Sequence, residues 1–266
     1  YVFFATAQGM VKKVQLSAFK NVRSQGIKAI ALKEGDYLVG AAQTSGSDDI
    51  MLFSNLGKAI RFNEYWEKSG NDEAEDADIE TEISDDLEDE TADNENALPS
   101  GKHGVRPSGR GSGGLRGMRL PADGKIVSLI TFAPEAAQSD LQVLTATANG
   151  YGKRTPIADY SRKNKGGQGN IAINTGERNG DLVAATLVGE TDDLMLITSG
   201  GVLIRTKVEQ IRETGRAAAG VRLINLDEGE QLVSLERVAE EPEDESVSGE
   251  ENTGETNVTT EDNTPQ

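Results

Sequence analysis

No cysteine occurs in the 266 residues, which excludes a disulfide framework, thiolate catalysis and any thiolate zinc site. There is one histidine and one tryptophan. His103 lies in a Gly/Ser/Arg-rich stretch beside a long acidic run and reads as a solvated loop residue, not as a general base. No Ser/His/Asp set accompanies it. Apolar runs fall far short of the roughly 20 residues that a membrane-spanning helix needs, and no signal peptide is visible. These absences predict a soluble, cytoplasmic protein without a catalytic centre, metal or cofactor of its own. Sustained helical spacing is also lacking. What is present instead is a series of short β-branched or Leu-rich runs broken by Gly, Asn and Asp.

The chain has a formal net charge of -18, which taken alone argues against a nucleic-acid partner. The acids are concentrated in two places. Glu64 to Asn96 holds 16 acids and a single base, Lys68, and Glu236 to Gln266 holds 11 acids and only Arg237. Without these two segments there remain 25 basic and 18 acidic residues, net +7. Both segments have too little apolar content to offset chain entropy by burial and are expected to be disordered. The expected layout is therefore two repeats in 1–65, an acidic insertion at 66–100, further blades in 101–238 and an acidic tail at 239–266. Two readings of the insertion stand side by side: a polyanion competing with a ligand for the basic core, or a solvated loop insertion that the fold tolerates.

The core is repetitive. A small polar residue, two spacers, Gly, three spacers and a basic residue recur as Thr6…Gly9…Lys13, Ser54…Gly57…Arg61, Thr147…Gly150…Arg154 and Thr198…Gly201…Arg205. Each copy has a second half in which Gly leads an apolar run: Gly26 with Ile30, Gly114 with Met118, Gly169 with Ile173 and Gly220 with Ile224. About four short strands per repeat of roughly 50 residues, with Gly at the tight hairpins, is the pattern of a propeller blade. The predicted fold class is all-β, propeller-like, built from four-stranded blades. In the last copy the strands are expected at Leu194–Thr198, Val202–Val208, Val221–Leu226 and Leu232–Val238.

Other motifs carry no chemistry. Asp48-Asp49 and Asp192-Asp193 precede strands and read as turn residues, with metal ligation the alternative. The clusters Gly111-Ser112-Gly113-Gly114 and Gly166-Gly167-Gln168-Gly169 lack the Lys-Ser/Thr of a nucleotide-phosphate loop and read as plain loops.

The cations are what repeats. On the second strand of each copy stand Lys12 and Lys13, Lys58 and Arg61, Lys153 and Arg154, and Arg205 and Lys207. In the connecting segments follow Lys20 and Arg23, then Arg106, Arg110, Arg116 and Arg119, then Arg162, Lys163 and Lys165, then Arg212 and Arg216. Blades related by rotation put equivalent positions on a ring. Two cationic sets per blade predict a basic belt around the rim, suited to neutralising the phosphates of double-stranded DNA with little reading of base edges.

The stretch Thr147-Ala148-Asn149-Gly150-Tyr151-Gly152-Lys153-Arg154-Thr155, with Phe4-Ala5-Thr6 through Lys13, Met51-Leu52-Phe53-Ser54 through Phe62, and Glu177-Arg178-Asn179-Gly180, resembles the C-terminal domain of the A subunit of bacterial DNA gyrase. The resemblance spans nearly all of 1–238 outside the insertion. It implies a β-pinwheel whose blades exchange strands and around which DNA wraps, so that a holoenzyme of two A and two B subunits, using ATP and Mg2+ bound elsewhere, introduces negative supercoils. The family's Gln-Arg-Arg-Gly-Gly-Lys-Gly box does not occur; Lys165-Gly166-Gly167-Gln168-Gly169 is the nearest string. Six blades are usual against four visible repeats, so a fragment lacking about two upstream blades is expected. None of the five tyrosines carries the motif of a strand-cleaving tyrosine, so the chain should bind DNA and cut nothing. The equivalent domain of topoisomerase IV and a propeller serving as a protein platform are the alternatives.

Overall fold

The computed structural model describes residues 1–65 and 104–238. The acidic insertion and tail, together with His103 and Trp66, lie outside the described residues. Repeat one contributes β1 (Val2–Thr6), β2 (Met10–Val14) and β3 (Leu38–Gln43). Repeat two contributes β4 (Asp49–Ser54), β5 (Lys58–Asn63), β6 (Leu115–Arg116) and β7 (Ile126–Phe132). Repeat three supplies β8 (Gln142–Thr147), β9 (Tyr151–Pro156), β10 (Asn170–Ile171) and β11 (Leu182–Val188), and repeat four β12 (Asp193–Thr198), β13 (Leu203–Lys207), β14 (Val221–Arg222) and β15 (Leu232–Val238).

The sheets do not follow the repeats. Their strand orders are β3-β1-β2-β6, β10-β5-β4-β7, β11-β8-β9-β14 and β13-β12-β15. The short strands β6, β10 and β14 each leave their own repeat and complete the sheet of the preceding one. The run expected at Val221–Leu226 is accordingly only two residues of strand, paired with Tyr151 and Gly152. The fourth sheet has three strands where four were expected, because no described segment follows to supply its outer strand.

Alternation at period two explains how the sheets stack. On β4, Ile50 and Leu52 join Phe3, Ala5 and Val11 in one core cluster, while Met51 and Phe53 face the other way and join Val143, Leu182 and Ala185 in the next. A third cluster sets Leu144 and Ala146 of β8 against Leu194 and Leu196 of β12. Each internal sheet is thus apolar on both faces, and β4 is buried along its whole length. The strands β3, β7, β11 and β15 pack on one another in succession and form the inner wall, which leaves the exchanged strands on the outer rim.

The hairpin glycines of the first three repeats, Gly9, Gly57 and Gly150, do more than turn the chain. Gly57 has φ +72°, and a Cβ there would strike the carbonyl oxygen of Ile173, four residues beyond the exchange glycine of repeat three. That same region of repeat three donates Ala172 N–H and Ile173 N–H to the Gly57 carbonyl, at 2.8 and 3.2 Å. Positive φ and close backbone approach together admit only glycine.

Candidate nucleic-acid interface

The cations of the second strands divide sharply by direction. Lys12, Lys13, Arg61 and Lys153 are buried, which corrects the expectation that they line an exposed belt. The physical reason is the strand exchange itself. The segment arriving from the next repeat covers them, and Lys12, Arg61 and Lys153 hold it by its carbonyls. Lys12 Nζ donates to Arg110 O and Ser112 O, both at 2.8 Å, and to Ala29 O at 3.1 Å. Lys153 Nζ, one blade pair away, donates to Gly215 O and Arg216 O. The Gly-rich loop at 111–114, read as a plain loop, is therefore part of a carbonyl cradle for an ammonium group. Lys13 Nζ donates to Glu64 O at 2.7 Å and lies 5.1 Å from the Tyr1 ring centre.

In the second and third repeats the arginine four residues after the hairpin glycine works as a clasp across the blades. Arg61 binds Asp49 Oδ2 through Nε at 2.8 Å and through Nη2 at 2.5 Å, and donates through Nη1 to Tyr160 O of the next repeat at 2.9 Å. Arg162 joins the same carboxylate at 3.0 Å. Arg154 Nε reaches Ile211 O at 2.5 Å. Asp49 and Asp192, considered as turn or metal residues, are buried and serve as ion-pair partners, Asp192 with Arg237 at 2.6 Å. Asp193 pairs with Arg205 at 2.5 Å. Among the described residues no cluster of His, Cys, Asp and Glu could hold a metal ion.

The remaining sequence-predicted cations point outward or lie half-buried on the rim. Lys20, Arg23, Arg106, Arg116, Arg205, Lys207 and Arg212 are exposed. Lys58, Arg110, Arg119, Arg154, Arg162, Lys163, Lys165 and Arg216 are half-buried. Sequence reasoning left out six exposed cations among the described residues, Lys28, Lys33, Lys125, Arg178, Arg222 and Arg237. Two of them carry a signal that was present: the second residue after the exchange glycine is Lys28, Arg116, Ile171 and Arg222 in the four repeats. This position is exposed in all four, and in the last three it lies on the outermost strand of a sheet.

Several of these charges sit close to one another. Burial first, then the nearby charges of Arg110 and Lys28, push Lys12 down to about 8. Burial followed by Arg216 does the same to Lys153, also to about 8, against an opposing pull from Asp159. Arg110 Nη1 donates to Lys28 O at 3.2 Å and Arg216 Nη1 to Ile171 O at 3.3 Å, so the same linkage recurs at two blade junctions. Arg178 of repeat three and Arg222 of repeat four stand 4.3 and 5.2 Å from the ring centre of Tyr151. Arg222 Nη2 also donates to the Tyr151 hydroxyl at 2.6 Å, and the hydrogen bonds from Arg222 and then Arg178 lower that phenol. Like charges held together at a rim leave an unbalanced positive potential, which an anion relieves.

Comparison with known proteins agrees with this architecture. Residues 1–45, 48–65, 103–133, 142–188 and 192–239 match the family described as DNA gyrase C-terminal domain, beta-propeller. The DNA gyrase A subunit of Neisseria gonorrhoeae is 95% identical over 241 residues, covering 91% of this chain and 26% of that protein. The corresponding gyrase protein of Aeromonas salmonicida is 45% identical over 256 residues, covering 92% and 27%. The chain thus spans about a quarter of the length of these relatives. In fold it is similar to the DNA gyrase A C-terminal domain, with TM-score 0.66 and 23% identity over 90% of this chain and 66% of that one. It is also similar to the C-terminal domain of DNA topoisomerase IV, with TM-score 0.69 and 22% identity over 90% and 61%. The strand-exchanged blades and the family match over most of the described residues lead to one assignment: the chain belongs to the DNA gyrase C-terminal domain, beta-propeller family.

Proposed function

We propose that this chain binds double-stranded DNA along its outer rim, without sequence preference, and bends it around the disc. The observation that carries the reading is the outward cation on the exchanged strands, repeated as Arg116 and Arg222 with Lys28 at the matching place of repeat one. All three are exposed, unlike the buried set, although Arg222 also braces the Tyr151 ring and hydroxyl. Contacts to phosphates release counterions and carry no base information. Bending a 20–30 bp site by 40–90° costs about 1–6 kcal/mol, which several contacts per blade offset. Sequence preference then comes only from the ease of bending.

In the longer protein the wrapped DNA would present a segment of fixed handedness for passage, supporting ATP-dependent negative supercoiling by a type II topoisomerase of two A and two B subunits in the bacterial cytoplasm. ATP and Mg2+ would act elsewhere in that assembly. The relatives, which are DNA gyrase proteins, support this reading over the topoisomerase IV alternative, since the likeness to the latter rests on fold. Ligation of nicked circular DNA in the presence of the chain tests it. A linking-number change of constant sign that grows with protein concentration is expected, and relaxed circles at every concentration below 100 mM salt would overturn it.

A further inference from the structure

Among the described residues one feature of the rim occurs a single time. Tyr151, directly after the hairpin glycine of repeat three, is approached by guanidiniums from two other elements. Arg178 comes from the loop between β10 and β11, and Arg222 from β14, the strand exchanged out of repeat four. The matching positions in repeats one, two and four are Met10, Lys58 and Val202 for the tyrosine, and Lys33, Ala122 and Asp227 for Arg178. Neutral groups hold both arginines in place. Arg178 Nη2 donates to Gly220 O at 3.3 Å, and Arg222 Nη1 to Asn225 Oδ1 at 3.1 Å. The loop under Arg178 is pinned in turn. Asn149 Nδ2 donates to Glu177 O and Arg178 O, and the buried Asn179 donates to Asn174 O and Ala219 O. Among the described residues neither arginine forms an ion pair, and Glu177, beside Arg178 in the chain, forms none either.

We infer that Arg178, Arg222 and the Tyr151 hydroxyl form a clamp for one backbone phosphate of duplex DNA, an assignment that rests on DNA following the rim. The donors suit an oxyanion. The hydroxyl accepts from Arg222 Nη2 at 2.6 Å, which leaves its own proton free to donate. The two guanidiniums add planar forks that match phosphate oxygens. All three groups are already fixed by their neighbours, so closing on a phosphate costs little side-chain freedom. Tyr151 is both a donor and the brace that sets two like charges side by side, and the phosphate supplies the negative charge that no described acid provides. Grip along the rim is therefore uneven. It is firmest where repeats three and four meet, and the other junctions hold DNA by separate cations.

Fluorescence anisotropy of a labelled duplex long enough to span the rim tests the clamp in the 266-residue chain. Arg178→Gln/Arg222→Gln and Lys28→Gln/Arg116→Gln each remove two exposed cations, so a uniform belt would lose the same affinity in both. The clamp predicts a loss about fivefold greater for the first pair. Equal losses would overturn the clamp and leave rim binding in place, whereas a wild type without salt-dependent binding would remove both. Tyr151→Phe keeps the ring and deletes only the hydroxyl, so it tests the donor without disturbing the packing. Wild type should bind about threefold more tightly than this variant at pH 7. The hydrogen bonds from Arg222 and then Arg178 lower the phenol below its usual 10.0, and the phenolate has no proton to donate and repels phosphate. The advantage of wild type should therefore be constant below that ionisation and fall as pH rises through it. Lysines that titrate in the same range act alike on both proteins. Equal affinity of wild type and Tyr151→Phe at every pH would overturn the clamp.

Discussion

At the scale of single residues, the basic side chains fall into two populations that composition cannot separate. Lys153 is fully buried and its ammonium is held by the carbonyls of Gly215 and Arg216. Replacing it by Met leaves those acceptors unpaired, and a loss of about 1–3 kcal/mol at pH 7 is expected in urea unfolding. The pH dependence has a definite sign. Burial lowers the folded-state value from 10.5 to about 8, so between these two pH values the unfolded chain holds a proton that the folded chain has released. Stability rises with pH wherever the unfolded state binds more protons. Wild type should therefore gain on Lys153→Met as pH rises from about 8 to about 10.5, with no change in the difference below pH 7. A difference that shrinks over that window would show that the ammonium form is the one the carbonyls favour. The recurrence of a base four residues after each hairpin glycine was legible in the sequence, but its direction was not. For the neighbouring Lys12, three residues after Gly9, two of the three acceptors that draw it inward lie 98 and 100 residues away, beyond any local pattern, and the third, Ala29 O, lies 17 away.

At the scale of elements, the two-residue strands β6, β10 and β14 decide the architecture. The glycine-to-apolar half repeat announced them, and the expected strands β12, β13 and β15 lie within a residue of the observed ones. The third run of each repeat was harder to read. Val221–Leu226 has the composition of a longer strand, yet only Val221 and Arg222 pair, because the segment must bend at Gly220 and then return to its own blade for β15. The glycines that permit this differ in consequence. Gly220→Ala places a Cβ against the Gly152 carbonyl, so strain from positive φ and from overpacking should add to about 2–5 kcal/mol. Gly26→Ala meets no neighbour and should cost about 1–2 kcal/mol, the conformational part alone. Chemical denaturation of the two variants side by side measures this, and equal losses would contradict the exchange geometry.

At the scale of the whole molecule, a chain of net charge -18 presents a basic rim because its acids are concentrated at the insertion and tail while the repeats carry the excess of base. Removing the two acidic segments from the count made the positive core legible from sequence. Which cations belong to the rim was not legible, since Lys12, Lys13, Arg61 and Lys153 proved to be joints between blades, while Lys28 and Arg222 had no place in the expected belt. The central claim is that DNA is held by cations on the exchanged strands and not by those beneath them. Its most direct test is the dependence of duplex DNA affinity on salt, for this chain and for a Lys28→Ala/Arg116→Ala/Arg222→Ala variant of unchanged thermal stability. Each lost phosphate contact should flatten the slope of log K against log salt by about 0.9. A variant flatter than wild type by nearly three such contacts is the expected result, and an identical slope in the two proteins would contradict it.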